Sequence, residues 1–217
     1  MSASGPETSR PDHSYRDRRT APRFALMMMR AAKLLCESGE YVGVVRDIST
    51  TGAKVRLFHE TPPDTHLFLE LGNGRRYAME RMWHHDNHVG FRFSSDIDIG
   101  EFVEEPGRHP RRPVRLHMEK PATVTAKGQE HQAMLVNLSQ HGACIEAGSQ
   151  LAVCEQLRLE VEGLPVRIGH VRWRKGFTHG LVFQQAFRLD EFAEHAYALQ
   201  PFVPAIEIDD GRSAQVA

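Results

Sequence analysis

Two arginines four residues apart, Arg19 and Arg23, stand ahead of a short polar set, Asp47-x-Ser49-x-x-Gly52. An arginine carries a planar fork of donors that fits phosphate oxygens and also the N7/O6 edge of guanine. A carboxylate such as Asp47 can accept from guanine N1–H and N2–H, and Ser49 adds a small donor and acceptor. Gly52 lets backbone approach a flat base with no side chain between. Pro22 stiffens the arginine arm. Together these residue types describe a purine-nucleotide site. Each half alone is weaker: a basic run is usually a solvated tail, and Asp, Ser and Gly are turn formers.

The elements that must position these residues emerge from an internal repeat. Asp47-Ile-Ser49-Thr-Thr-Gly52-Ala53 recurs as Asn137-Leu-Ser139-Gln-His-Gly142-Ala143, 90 residues later. Trp83 and Trp173 obey the same spacing of 90, as do Gly90-Phe-Arg-Phe93 and Gly180-Leu-Val-Phe183. Two copies of one domain follow, 16–103 and 104–200, flanked by tails 1–15 and 201–217. The join falls near Glu104-Glu105-Pro106-Gly107, where Pro and Gly punctuate the chain.

Each copy reads as short strands. Leu157, Leu159 and Val161 alternate with Arg158, Glu160 and Glu162, as Ala53, Val55 and Leu57 do with Lys54 and Arg56. Asn73-Gly74 predicts a type I′ hairpin. In the second copy Val166 and Ile168 share one phase while Val171 and Trp173 share the other, which predicts a bulge at Gly169. Trp173 is expected in the core, as are Phe93 and Phe183. Short strands with close turn signals favour a small antiparallel barrel. Helix is predicted over Leu189–Leu199 and, more briefly, around 96–103.

An RxxxR arm followed by [D/N]xSxxG, with the later Trp83 to Gly90 and Phe93 pattern, resembles the PilZ domain family of cyclic di-GMP receptors. The resemblance spans most of the chain. It implies an all-β fold with minor α: two tandem six-stranded antiparallel barrels with a helix after the second. It also implies roles. Arg19 and Arg23 would hold guanine edges and phosphates, Asp47 and Ser49 would face a guanine, and Gly52 would shape the floor. Arg18 is placed as in members that take a stacked pair of ligands, and Trp83 would stack on a base.

Copy two departs from this pattern. Aligning Pro110-Arg111 with Pro22-Arg23 puts Gly107 in the place of Arg19, so the arginine arm is read as degenerate. The pairs Arg108–Arg112 and Arg111–Arg115 restore the spacing but shift it against the strand. Asn137 brings no charge where Asp47 does. A second site would draw on Arg108, Arg111, Asn137, Ser139 and Gly142.

Composition limits the alternatives. The 217 residues carry a net charge of -1 and 41% hydrophobic residues, as in an ordinary folded protein. Cys36, Cys144 and Cys154 form neither a disulfide framework nor a metal pair, and a cytoplasmic setting is expected. No apolar run reaches membrane-span length and no signal peptide is read, so no membrane insertion is expected. His84, Asp86 and His88 share a strand face but lack a secure further ligand, so no metal and no cofactor is expected. No nucleophile set has motif context, so the chain is read as a non-enzyme whose partners are cyclic di-GMP and an unidentified protein. Two alternatives stand beside this: a barrel adaptor without ligand, and nucleic-acid binding by the basic arm, against which overall neutrality argues.

Overall fold

The computed structural model describes residues 24–104 and 113–200, with side chains from residue 30 onward in the first strand. The expected tails, Arg18, Arg19, Arg23, Arg108 and Arg111 lie outside the described residues.

The first repeat forms β1 (Phe24–Cys36), β2 (Gly39–Ile48), β3 (Gly52–Arg56), β4 (His66–Glu70), β5 (Arg76–His85) and β6 (His88–Phe93), then α1 (Ile99–Glu104). The second forms β7 (Arg115–Ala126), β8 (Gln129–Ser139), β9 (Gly142–Ala147), β10 (Gln156–Val161), β11 (Arg167–Lys175) and β12 (Thr178–Phe183), then α2 (Leu189–Leu199). Each set closes into an antiparallel barrel with the same strand order, β1-β2-β3-β6-β5-β4 and β7-β8-β9-β12-β11-β10. The two-residue periodicity explains the interior. In β3, Ala53 and Val55 are buried and Lys54 and Arg56 face out; in β10, Leu157, Leu159 and Val161 are buried. Closure leaves no sheet edge open.

Three sequence expectations are corrected. The Asn73-Gly74 turn is not type I′, because only Gly74 has positive φ (84°). Gly74 N–H instead donates to the Leu71 carbonyl (2.9 Å), and the left-handed glycine follows that turn. Gly169 pairs regularly with Leu157 and Phe183, and the register slip of β11 lies between Val171 and Trp173. That slip turns Trp173 out of the core, leaving it 42% exposed. In β5 the same slip, between Arg81 and Trp83, leaves Trp83 41% exposed. A bulge places two residues against one and so inverts the inside–outside parity beyond it.

The barrels meet along β2, β7 and α2. Val42 points out of the first barrel and is buried in the core of the second. Glu40 accepts from the His117 backbone N–H (2.7 Å), and Gln200 Nε2 donates to the His117 carbonyl (3.3 Å). Lys33 holds Glu40 in place (3.3 Å) and pairs with Glu70 (3.0 Å). Tyr197 of α2 stacks on His59, with centroids 4.5 Å apart and planes 13° apart.

His59 sets a pH dependence. Its Nδ1 meets the Glu60 carbonyl (2.7 Å), and its Nε2 is enclosed. Burial holds this imidazole below the ordinary histidine value, outweighing the Glu60 and Val42 backbone bonds and the Glu194 charge that act the other way. A depressed folded-state pKa means the unfolded chain binds the proton first. The stabilisation is therefore full above the unfolded value of about 6.5 and is lost as pH falls from there through the folded value. Thermal melts at pH 7.5 and 5.5 should show a smaller acid-induced drop in Tm for His59→Phe than for the wild type. Equal drops would place that proton elsewhere.

Among the described residues no helix is long and apolar enough to cross a membrane, and no group of three His, Cys, Asp or Glu side chains is placed to hold a metal ion. A fourth expectation, the shared strand face of His84, Asp86 and His88, is corrected: Asp86 lies in the turn with φ 49°, and His88 pairs with His85 while His84 pairs with Val89, so His84 and His88 point to opposite faces.

Candidate ligand-binding site

The first barrel carries an open groove of about 440 Å³ on its outer wall, lined by Asp47, Ser49, Gly52, Lys54, Trp83 and Arg92 among others. The strand register explains the assembly. β2 ends on Asp47 and Ile48, and the tight Ser49–Gly52 turn returns the chain so that Lys54 pairs with Asp47. Lys54 in turn pairs with Gly90 of β6, and Gly90 with Trp83 of β5. The row Asp47–Lys54–Gly90–Trp83 thus crosses four adjacent strands on one face. Gly90 is bare because the indole of Trp83 occupies the space its Cβ would need. The tryptophan is therefore laid flat on the barrel wall as an aromatic platform, one face against backbone and the other toward the groove.

Ser49 is 7% exposed, and its hydroxyl is largely committed to the turn. Its Oγ donates to the Gly52 carbonyl (3.2 Å) and accepts from Gly52 N–H (3.1 Å). Gly52 likewise answers a demand of the sheet: a Cβ there would run into the Phe91 carbonyl oxygen of β6. Asp47 lines the same groove.

The face is electropositive around this acid. Burial first, then Lys54, Arg56 and Arg46, hold the His88 imidazole below its ordinary value. Arg92 pairs with Glu80 (2.5 Å) at the groove's lower edge. Sequence reasoning missed Lys54 and Arg92 as groove residues. Lys54 was legible in principle, since a tight turn between Ser49 and Gly52 fixes which outward residue of β3 faces Asp47.

The strand that follows the arginine arm in sequence starts at this groove. Phe24 pairs with Ile48 and Ala25 with Asp47, so the chain enters β1 beside the carboxylate. Arg23 immediately precedes Phe24 in sequence.

The PilZ domain model matches twice, over residues 17–105 and 108–196. The chain belongs to the PilZ domain family. Among curated proteins none matches it. Solved structures similar to this PilZ pair include Borreliella burgdorferi PlzA in complex with c-di-GMP (13% identity, TM-score 0.34), covering 82% of this chain and 93% of that one. Bacillus subtilis MotI/DgrA, an inhibitor of motility, is 14% identical with a TM-score of 0.32, covering 82% and 95%. Escherichia coli YcgR in complex with c-di-GMP is 11% identical with a TM-score of 0.28, covering 79% and 81%.

The second PilZ barrel repeats much of this wall. Ser139 Oγ donates to the Gly142 carbonyl (3.0 Å), Asn137 pairs with Cys144, Cys144 with Gly180, and Gly180 with Trp173. A Cβ on Gly180 would enter the Trp173 indole, and one on Gly142 would meet the Leu181 carbonyl. The register also settles which residue enters the strand. Leu116 pairs with Leu138 as Phe24 pairs with Ile48, so Arg115 occupies the strand-entry position that Arg23 has in sequence. The residue four before it is Arg111.

Proposed function

We propose that this protein is a cyclic di-GMP receptor whose first barrel binds the ligand through Arg19, Arg23, Asp47, Ser49, Gly52 and Trp83, with Arg18 beside the arm. The observation that carries this reading is the convergence of Asp47 and the Trp83 platform in one outer groove, at the point where β1 enters from Arg23. Arg19 and Arg23 then supply guanidinium forks to guanine edges and phosphates. Asp47 accepts from a guanine N1–H and N2–H, and the outward face of Trp83 stacks on a base. Lys54 adds positive charge for the phosphates. No step of this chemistry breaks a covalent bond, so the protein acts as a binding module and not as an enzyme. Tying the arm to the groove changes the surface next to β1 and β2, and a protein partner reads that change.

The test is calorimetric titration of the full chain with cyclic di-GMP, cyclic di-AMP and single-stranded DNA at two salt concentrations. Saturable binding of the guanine dinucleotide, with no binding of the adenine one, is expected, because adenine presents N6–H₂ where guanine presents O6. Preferential binding of DNA with steep salt dependence would overturn the reading in favour of a nucleic-acid site.

A further inference from the structure

Every neighbouring pair of strands in the second barrel is antiparallel, so the connections β7–β8, β9–β10 and β11–β12 all lie at one end of it. That end holds the two most exposed large hydrophobic residues of the described chain, Val153 at 53% and Phe177 at 56%. Val153 belongs to the β9–β10 loop and Phe177 to the β11–β12 turn. Hydrogen bonds tie the two segments into one surface. Ala147 N–H donates to the Phe177 carbonyl (3.0 Å), and Arg174 Nη1 donates to the Leu151 carbonyl (3.4 Å). The buried His179 accepts from Leu151 N–H at Nε2 (3.1 Å), which fixes the same loop on β12. Gly176, beside Phe177, is left-handed (φ 61°), and nothing lies within 4 Å of the place its Cβ would take. The tip therefore stands clear of the barrel on a well-braced base.

Cations surround these two side chains. The hairpin from Val171 to Thr178 carries Arg172, Arg174 and Lys175, all exposed, and no acid. Lys127, on the β7–β8 turn, pairs with Glu155 (3.5 Å), whose other carboxylate oxygen accepts from Ala152 N–H (2.8 Å). Glu130 and Glu146 stand back from the tip, within β8 and β9, opposite Thr125 and Thr178. The excess positive charge thus lies on the projecting hairpin. The fold does not demand this arrangement. At the equivalent positions, 90 residues earlier, the first barrel has Pro63, Met82, His84, His85 and Asn87.

We infer that this end of the second barrel docks on an anionic lipid membrane, with Phe177 and Val153 entering the headgroup layer while Arg172, Arg174 and Lys175 meet the lipid charges. An apolar tip ringed by cations matches a surface that is anionic at its face and apolar beneath. A nucleic-acid backbone would satisfy the cations but leave the aliphatic Val153 in water. One apolar contact or one basic cluster alone binds a membrane marginally, and the two together hold it. The contact is peripheral: no described helix is long and apolar enough to cross a membrane, and docking by loop tips needs none. This surface uses neither the groove of the first barrel nor the arginine arm, so it stands apart from the cyclic di-GMP reading.

Co-sedimentation of the full chain with lipid vesicles tests this. Vesicles of phosphatidylcholine mixed with phosphatidylglycerol should carry the protein down, and vesicles of phosphatidylcholine alone should not. Added salt should weaken the binding. The triple variant Arg172→Gln/Arg174→Gln/Lys175→Gln should bind about a hundredfold less well, at roughly fivefold per cation. Phe177→Ser should lose about tenfold. Arg158→Gln, which removes a half-exposed cation from β10 of the same barrel, should bind like the wild type. These side chains lie on the surface, so the melting curves should not move, and they are measured alongside. Phe177→Trp should keep the binding, and its emission beyond that of the wild type should shift to the blue on the anionic vesicles. No binding to anionic vesicles, a triple variant that binds as Arg158→Gln does, or undiminished binding by Phe177→Ser overturns the inference. Tighter binding to duplex DNA than to the vesicles also overturns it and assigns the cations to a nucleic acid. Each of these outcomes leaves the cyclic di-GMP titration to be judged on its own.

Discussion

Arg23→Ala is expected to weaken cyclic di-GMP binding at the first barrel about a hundredfold, two factors of ten at about 1.4 kcal/mol each. The Tm of the protein should not move. The loss follows from what a guanidinium offers and alanine cannot: two parallel charge-assisted donors to a phosphate or to the guanine N7/O6 edge. Arg23 directly precedes Phe24, whose backbone pairs with Ile48 between Asp47 and Ser49. A partner group left in a half-desolvated groove without its donor adds to the cost. Arg23→Lys separates charge from geometry. Lysine keeps the positive charge but loses the fork, so it should recover only part of the affinity. Full recovery would mean that charge alone holds the ligand, and unchanged affinity in the alanine variant would remove the arm from the site. Substitutions away from packed or strained features usually shift stability by less than about 0.5 kcal/mol, so a large drop in Tm would mean the arm has a structural duty.

The fold was legible because the repeat of 90 residues ties tryptophans, glycine–phenylalanine pairs and turn motifs to one spacing. The groove's acid, hydroxyl, glycine and first tryptophan were legible from the same motifs. Two features were not, and both trace to bulges. The β1 strand slips against β2 between Ala25 and Arg30, whereas β7 slips against β8 only between His117 and Lys120. The second copy therefore spends two fewer residues in its bulge, so its strand entry lies 92 residues after the first rather than 90. That difference hides Arg115 from any alignment made on the repeat spacing or on the Pro-Arg pairs. The other feature is the parity of the tryptophans. Met79, Arg81 and Trp83 fall on alternate positions, as do Val171 and Trp173, so a regular strand would put each tryptophan with the buried residue. The slip just before each tryptophan reverses this. The signal that betrays it is the glycine seven residues later, Gly90 or Gly180, which makes room for an outward indole lying on the neighbouring strand.

Gly52→Ala and Gly90→Ala should have opposite profiles, although both add one methyl group to the same groove. At Gly52 the new Cβ would run into the Phe91 carbonyl oxygen, a backbone atom of β6 held in the closed barrel. Neither strand can retreat without breaking its ladder. The cost should reach the upper part of the 1–3 kcal/mol range for overpacking. For a barrel of this size that is roughly a 10–20 °C fall in Tm, at about 4–8 °C per kcal/mol. At Gly90 the obstacle is instead the Trp83 indole, a half-exposed side chain free to lift toward solvent. Stability should change little, but the platform is displaced into the groove and a base can no longer lie on it. Losing one base–aromatic stack is worth about 1–3 kcal/mol, so affinity should fall roughly ten- to a hundredfold. Thermal melts and calorimetry on the two variants decide the matter. If Gly90→Ala melts early and binds normally, Trp83 is a structural prop and does not stack on the ligand. If Gly52→Ala melts like the wild type but loses affinity, the glycine serves the ligand rather than the sheet.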